Sequence, residues 1–440
     1  MKQDLLDLAA SAIQMAQSAG AAHSRVNVSR ERSVEISYRE RKPENIKEAS
    51  TRGLSIDIYV DDRFSTQSTS DLRPEALRDF IARAVVSTRL LAKDPFRTLP
   101  DPKYYAGRAD VNLGLVDPAY AGFTPADRHR FVKDIEAASL ARGGERVISV
   151  EASIGDTHSE FAMLTSNGFE GYTESTNYGA GASVTMQDAG DRRPNGYYSA
   201  ASVARHRLPP AGEIGTLAAQ RTLDLFGAKK IKTATLPIIV ENRNVPRLLG
   251  GLLAGFSGRN LQQKQSFLAG KQGQKIASDC LTLIDDPLIA GGLGSQLYDG
   301  DGFAAQRRIM LEAGVLKEFY IGWYYSRKLG CEPTTGGHSN LIVPPGPRSV
   351  AEIMKDLGRG ILINGFIGGN SNSTTGDMSV GITGTLFEHG EPVQAVAEMN
   401  IAGNHLKLWR SLAEVANDPW PYSSYRTPSL VFADVVVSGA

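Results

Sequence analysis

Residues 233–258, TATLPIIVENRNVPRLLGGLLAGFSG, constrain the fold more than any other stretch. Pro237, Ile238, Ile239 and Val240 form a short apolar run rich in β-branched side chains, the composition of a buried strand. Asn242 to Asn244 follow as turn and N-cap residues. Val245, Leu248, Leu249, Leu252 and Leu253 then recur at the spacing of one helix face. Gly255 and Gly258 are the expected helix stop. A helix directly after a buried strand is a common mount for catalytic groups. This one carries Gly250, Gly251 and Gly255 instead.

The remainder divides by pattern. A chain of 440 residues exceeds one compact core, so two or three domains are expected. The pattern predicts the α+β class: an N-terminal antiparallel sheet with helices, a central α+β region, and a C-terminal β-rich sandwich- or barrel-like domain. Residues 1–93 open with a helix carrying Leu5, Leu8 or Ala9, Ala12, Ile13 and Ala16. Strands follow at 26–28 and 34–38 around a turn at Arg30 to Arg32, then at 54–60 and, after Asp61-Asp62, at 64–69. Asp71 is the predicted cap of a helix with Pro74 in its first turn. Residues 94–230 begin as a proline-bearing linker to about residue 122. Thr124, with Pro125 and Asp127 behind it, then starts a helix. Alternating runs at 147–154, 160–166, 169–173, 180–187 and 197–205 read as a β-meander, and 213–226 as a helix. In residues 231–440 strands are predicted at 276–284, 307–311, 360–367, 377–386, 392–401 and 430–437, with helices at 349–357 and 406–415.

Composition removes several function classes. Lys plus Arg equals Asp plus Glu at 48 each, so no global field attracts nucleic acid. No run approaches about 18 consecutive apolar residues, which excludes a helical membrane span. Asp4 and Asp7 interrupt the apolar residues of 1–20, which fit an amphipathic helix better than a secretory segment. Cys280 and Cys331 lack CxxC spacing and read as buried small hydrophobes in a reducing, cytoplasmic setting.

Hydrolytic motifs are missing. Gly255-Phe256-Ser257-Gly258 is not a GxSxG elbow, and Gly270-Lys271 is followed by Gln272, so it is not a P-loop. Among His23, His129, His158, His206, His338, His389 and His405, no two lie three to five residues apart, the spacing a helical zinc pair needs. Asp285, Asp286, Asp299 and Asp301 sit in Asp-Pro and Asp-Gly contexts, where turn chemistry outweighs a hard-cation site. Residues 368–379, GGNSNSTTGDMS, join two strands with small polar side chains and exposed amides. They suit either an extended peptide contact, with Gly369, Asn370, Thr375, Gly376 and Asp377 as its residues, or a plain hairpin loop.

The order of landmarks resembles the TldD/PmbA family, once described as modulators of DNA gyrase. The resemblance rests on Leu248 to Gly258, Ser266-Phe267-Leu268, Leu281 to Pro287, Gly302, Gly314-Val315-Leu316, Thr375 to Ser379, Glu398 to Asn404 and Pro428 to Val437. In the TldD branch this implies a zinc peptidase with H-E-x-x-x-H on a helix and a late cysteine completing the site. The matching positions here are Gly250, Gly251 and Gly255, and no cysteine follows Cys331. The resemblance therefore implies the PmbA (TldE) branch: a partner subunit with no catalytic residue and no bound metal of its own. Zinc would be held by a TldD-type partner in a heterodimer, or this chain would form a homodimer in isolation. Such an assembly would degrade unfolded peptides and mature a peptide antibiotic, with neither nucleic acid nor membrane as a partner. Two alternatives stay open: a peptidase using scattered residues such as Asp286, Cys331, His338 or His405, and a protein-binding regulator of gyrase-related factors.

Overall fold

The computed structural model describes residues 2–439. Period-two alternation in the first half builds a single sheet. The elements are α1 (Lys2–Ser18), β1 (His23–Arg39), β2 (Lys42–Val60), β3 (Arg63–Thr69), α2 (Pro74–Thr88), α3 (Pro125–Gly143), β4 (Val147–Thr165), β5 (Glu170–Met186), β6 (Asn195–Ser202) and α4 (Ala211–Leu223). The six strands lie in the order β3-β2-β1-β4-β5-β6, each neighbour antiparallel. Residues 1–93 and 94–230 thus share one sheet, joined where β1 pairs with β4 from Arg25↔Thr165 to Arg39↔Glu151.

Strands are longer than the pattern predicts. Arg30 to Arg32 make no turn. They lie inside β1, where Arg30 pairs with Glu160 across to β4 and Arg32 with Glu48 of β2 at 2.7 Å. With no Gly, Pro or Asn to break it, a charged stretch continues as strand when opposite charges face it. Runs 147–154 and 160–166 likewise merge into β4, and 169–173 and 180–187 into β5, because pairing with the neighbouring strands continues across Gly155 and across Asn177 and Gly179. Val26, Val28, Val34 and Ile36 share one face of β1. The first two join the core under α1 and α2, the last two the core under α3 and α4.

Local helix signals are read more faithfully. Thr124 caps α3 in a reciprocal capping box with Asp127, and Pro125 is its first residue. At α2 the cap is Arg73 rather than Asp71, whose carboxylate instead takes the Arg73 guanidinium at 2.5 and 2.9 Å. An acid beside an arginine finds the stronger, charge-assisted partner.

The second half is built from β7 (Ala234–Val240), α5 (Val245–Leu253), α6 (Gly258–Gln262), β8 (Leu283–Asp285), β9 (Arg308–Glu312), β10 (Val315–Leu316), α7 (Trp323–Leu329), β11 (Leu341–Ile342), α8 (Val350–Leu357), β12 (Arg359–Ser371), β13 (Asp377–Glu388), β14 (Glu391–Asn404), α9 (His405–Arg410), β15 (Leu412–Val415), β16 (Tyr425–Arg426) and β17 (Leu430–Ser438). Strands β14-β13-β12-β7-β17 follow one another, and Asn400↔Ser438 and Ile401↔Val437 close them into a five-stranded barrel. β7, the predicted buried strand, lies between a parallel neighbour, β12, and an antiparallel one, β17. α5 places Val245, Leu248, Leu249, Leu252 and Leu253 in the same core as Ile238, Val240, Ile361 and Ile382 of the barrel.

Four expectations fail here. α5 ends at Leu253, followed by a single 3-10 turn over Ala254–Phe256, and Gly258 opens α6 instead of closing a helix. At Gly258 a Cβ would stand 2.9 Å from the Tyr320 carbonyl, so the glycine serves close packing. The strand predicted at 276–284 shrinks to Leu283–Asp285, because the polar turn Ser278-Asp279-Cys280 interrupts it. The helix predicted at 406–415 stops at Arg410, and Leu412–Val415 joins the sheet beside β17, whose edge offers pairing that a short helix cannot match. Cys280 and Cys331 are exposed rather than buried, the first within the Ser278-Asp279-Cys280 turn and the second just after the end of α7.

Candidate functional site

A cleft of about 420 Å³ opens where α5, the far end of β12 and α9 meet. Gly250 and Gly251 form its floor, Gly369, Asn370 and Ser371 one wall, and His405 the back. Gly250 and Gly251 of the opening stretch therefore converge with Gly369 and Asn370, two of the five predicted contact residues. Gly255 does not reach the cleft, because it is buried 2.8 Å (as a projected Cβ) from Leu268.

His405 explains Gly251. Asn404 caps α9 by accepting the Leu406 amide at 3.0 Å, and the His405 amide donates to Gly376 O at 2.8 Å, which fixes the residue at the helix start. The imidazole is buried and stacks on Phe267, with centroids 5.8 Å apart and planes at 13°. A Cβ on Gly251 would run into its Nε2 and Cε1 and approach Ser371 Oγ to 3.0 Å. Nothing lies within 4 Å of a Cβ on Gly250, so that glycine leaves open space.

The Ser371–His405 pair is not a nucleophile and its base. Their Oγ and Nε2 are 2.7 Å apart, but Nδ1 is buried with no hydrogen-bond partner, so no carboxylate orients the ring. Burial pushes the imidazole pKa down to about 4, which keeps the ring neutral near pH 7. With the proton on Nε2, Nδ1 strands a lone pair rather than an N–H, the cheaper arrangement. His405 then donates to Ser371, and the Ser371 hydroxyl keeps its own proton for an acceptor in the cleft.

Residues 368–379 are not an open loop. β12 continues to Ser371 and β13 begins at Asp377, leaving a tight turn between. Thr375 Oγ1 donates to Asp377 Oδ2 at 2.7 Å, and Asn404 Nδ2 donates to Asp377 Oδ1 at 3.0 Å and to Thr375 O at 2.9 Å. These bonds, Asn404 foremost, hold the Asp377 carboxyl below its ordinary pKa. Thr375, Gly376 and Asp377 thus tie the turn to α9 and do not line the cleft. Gly369 does line it. Its φ is +94° and a Cβ there would be 2.7 Å from Ser379 O, so only glycine fits this bulge.

Beside the cleft runs a strand edge. β12 pairs with β7 only at Ile361, Leu362 and Ile363, whereas its pairing with β13 extends to Ser371↔Met378. From Asn364 to Ser371 the β7 side of the strand is therefore unpaired by another strand. Arg221 Nη2 takes the carbonyl of Asn364 at 2.9 Å and Arg247 Nη2 that of Gly368 at 2.9 Å. The remaining groups of this edge face the clefts along α5. Ser371, His405 and Arg247 carry no sequence signal for this role, since each is placed by pairing or packing between distant segments.

A zinc ion does not fit the cleft. Gly250 and Gly251 have no donor atoms, and His405 stands alone there with its accepting edge buried. Among the described residues, no three His, Cys, Asp or Glu side chains are grouped to hold a metal. Asp286, Cys331, His338 and His405 have separate surroundings: Asp286 accepts Leu288 N at 2.9 Å, His338 bonds Tyr425 Oη at 2.9 Å, and Cys331 is exposed. Asp299 accepts the amides of Asp301 and Phe303 at 2.9 and 3.0 Å, which is turn chemistry.

The cleft thus combines two helix glycines with a stretch of strand edge that no other strand pairs, and no group of metal donors stands there among the described residues. Sequence models for domain 1, the central domain and the C-terminal domain of the PmbA/TldA metallopeptidases match residues 25–87, 120–226 and 233–439. The chain belongs to the PmbA/TldD family. It is 28% identical over 418 residues to the metalloprotease PmbA of Escherichia coli O157:H7, covering 94% of this chain and 92% of that one. A crystal structure from Bacteroides thetaiotaomicron, of a protein named for modulation of DNA gyrase, superposes with a TM-score of 0.96 at 38% identity over 99% of both chains. TldE of Thermococcus kodakarensis shares the fold, with a TM-score of 0.88 at 22% identity over 98% of this chain and 100% of that one. Among the described residues no helix is long and apolar enough to cross a membrane.

Proposed function

We propose that this chain is the non-catalytic, peptide-holding subunit of a cytoplasmic two-chain metallopeptidase whose zinc belongs to a TldD-type partner. The observation that carries the reading is the glycine floor: at the helix positions where a zinc motif would stand, Gly250 has no side chain and Gly251 has its space filled by His405. Chemistry of the metal kind must then come from another chain. What this chain supplies is a surface. An extended peptide adds to the unpaired edge of β12 through backbone hydrogen bonds, which read no side chain and so accept many unfolded sequences. Gly250 lets the peptide approach the helix closely, and the Ser371 hydroxyl offers a further donor.

The test is an assay of the purified chain on an unfolded peptide with zinc, alone and mixed with a TldD-type subunit. Cleavage is expected only in the mixture, together with a heteromeric species by size-exclusion chromatography. Cleavage by the lone chain that survives removal of contaminating peptidases overturns the assignment.

A further inference from the structure

Two further depressions continue from the glycine cleft along α5 and β12. One, of about 690 Å³, shares Arg247 and Phe366 with that cleft. The other, of about 510 Å³, shares Tyr197, Arg221, Arg243 and Asn244 with the 690 Å³ depression. Charge along this trough is unbalanced. Glu241 is consumed by Arg221 in a bidentate pair of 2.6 and 2.7 Å. Asp418 is taken by the amide and hydroxyl of Ser429, and Asp188 pairs with Arg192. Arg193, Arg243 and Arg247 form no ion pair among the described residues.

Arg243 is the unusual one. Its guanidinium lies 4.5 Å from the Tyr198 ring centroid and 5.0 Å from that of Trp420. Its Nη1 is buried and finds no acceptor on the protein. Burial first, and then the nearby Arg221, hold its pKa below the ordinary arginine value, so the cation is held where it is electrostatically unfavourable. The guanidinium is partly withdrawn from water and its nearest carboxylate, Glu241, is already paired with Arg221, so an anionic ligand would complete it. The matching group is planar and anionic, because a carboxylate accepts two parallel N–H bonds from one guanidinium.

We propose that Arg243 binds the C-terminal carboxylate of a peptide lying along the β12 edge. The inference rests on the peptide-holding reading above and adds polarity to it. The carboxylate sits at the Asn364 end, so the peptide runs antiparallel to β12. α5 starts two residues after Arg243, and at 1.5 Å per residue Val245 to Gly250 spans about 7.5 Å, so the glycine floor lies roughly two to three residues of extended peptide beyond the Arg243 turn. The segment over the glycine floor is therefore the third or fourth residue from the peptide's C-terminus.

The experiment measures binding of a fluorescent, unstructured octapeptide to the full chain, as free acid and as C-terminal amide. A third form carries an internal Glu with an amidated end. For the wild type the free acid binds at least about tenfold tighter than the amide, the increment expected of a charge-assisted pair. That ratio falls to near one in Arg243→Gln and is partly kept in Arg243→Lys. Unchanged thermal unfolding, or the retained amide affinity of Arg243→Gln, shows that the variant is folded. Equal binding of acid and amide by the wild type overturns the carboxylate site while leaving peptide holding intact. Equal gain from the internal Glu shows that any acidic side chain serves and overturns the end-recognition. If neither peptide binds, N-acetylphenylalanine titrated against Trp420 fluorescence, with Trp420→Phe as control, decides the site alone. A response lost in Arg243→Gln supports it, and no response overturns it.

Discussion

At the scale of single residues, two adjacent glycines have opposite reasons to exist. Gly250 faces open space in the interior of α5, so Gly250→Ala is expected to raise stability by roughly 0.5–1 kcal/mol through helix propensity alone. Gly251→Ala is expected to lower it by about 1–3 kcal/mol, because its methyl must displace the His405 ring from a packed site. Urea unfolding of the two variants checks the contrast. His405 also sets a pH dependence. Its folded pKa of about 4 lies below the ordinary value of 6.5, so the unfolded state takes up the proton first. Above pH 6.5 the residue is neutral in both states and contributes no slope. As pH falls from about 6.5 to about 4 the chain loses on the order of 3 kcal/mol at this one site, and no more below that. The loss is expected to be missing from the pH profile of His405→Gln, so that subtracting this profile from that of the wild type isolates it.

Between elements, the joint of α3 with β4 rests on a buried ion pair. Arg128 gives Nε and Nη2 to Asp156 at 2.6 and 2.8 Å and Nη1 to the Phe123 carbonyl, with both side chains essentially inaccessible. Removing one partner leaves an uncompensated buried charge. Asp156→Asn is therefore expected to destabilise by about 3–5 kcal/mol, whereas the double change Arg128→Met with Asp156→Leu is expected to recover most of that loss. Denaturant unfolding of Arg128→Met, Asp156→Leu and the double closes a double-mutant cycle that measures the coupling. The capping box that starts α3 is visible in Thr124-Pro125-Ala126-Asp127, but the ion pair is not. Arg128 stands in a polar stretch, and only the approach of β4 buries it.

Over the whole molecule, the first sheet and the barrel differ in how they close. All five barrel strands come from residues 234–438, so the barrel is complete within the second half of the chain. The first sheet is not complete within residues 1–93. β1 would lose its β4 neighbour along fifteen paired residues, and the core under α1 and α2 would lose Ala162 and Leu164. An expressed fragment of residues 1–93 is expected to be unfolded or to aggregate through that exposed edge, while residues 1–230 fold. Circular dichroism and amide exchange of the two fragments check this.

Much of this architecture is legible without tertiary information. The helix at Val245–Leu253, the strand before it, the capped start at Thr124 and the helix near 349–357 follow from patterns a few residues long. Periods of two and 3.6 are local properties of the backbone, so a segment carries them unaided. The glycines at 250, 251 and 255 are likewise plain in the chain. Pairing decides the rest. Whether Arg30 to Arg32 turn or continue depends on Glu48 and Glu160, and whether residues 412–415 are helix or strand depends on β17. The candidate site is of this second kind. His405 reaches Gly251, and Trp420 and Tyr198 reach Arg243, only because barrel closure and sheet packing bring distant segments together. Long-range contacts of that sort are set by the burial of whole faces, and no short stretch of sequence encodes which partner will arrive.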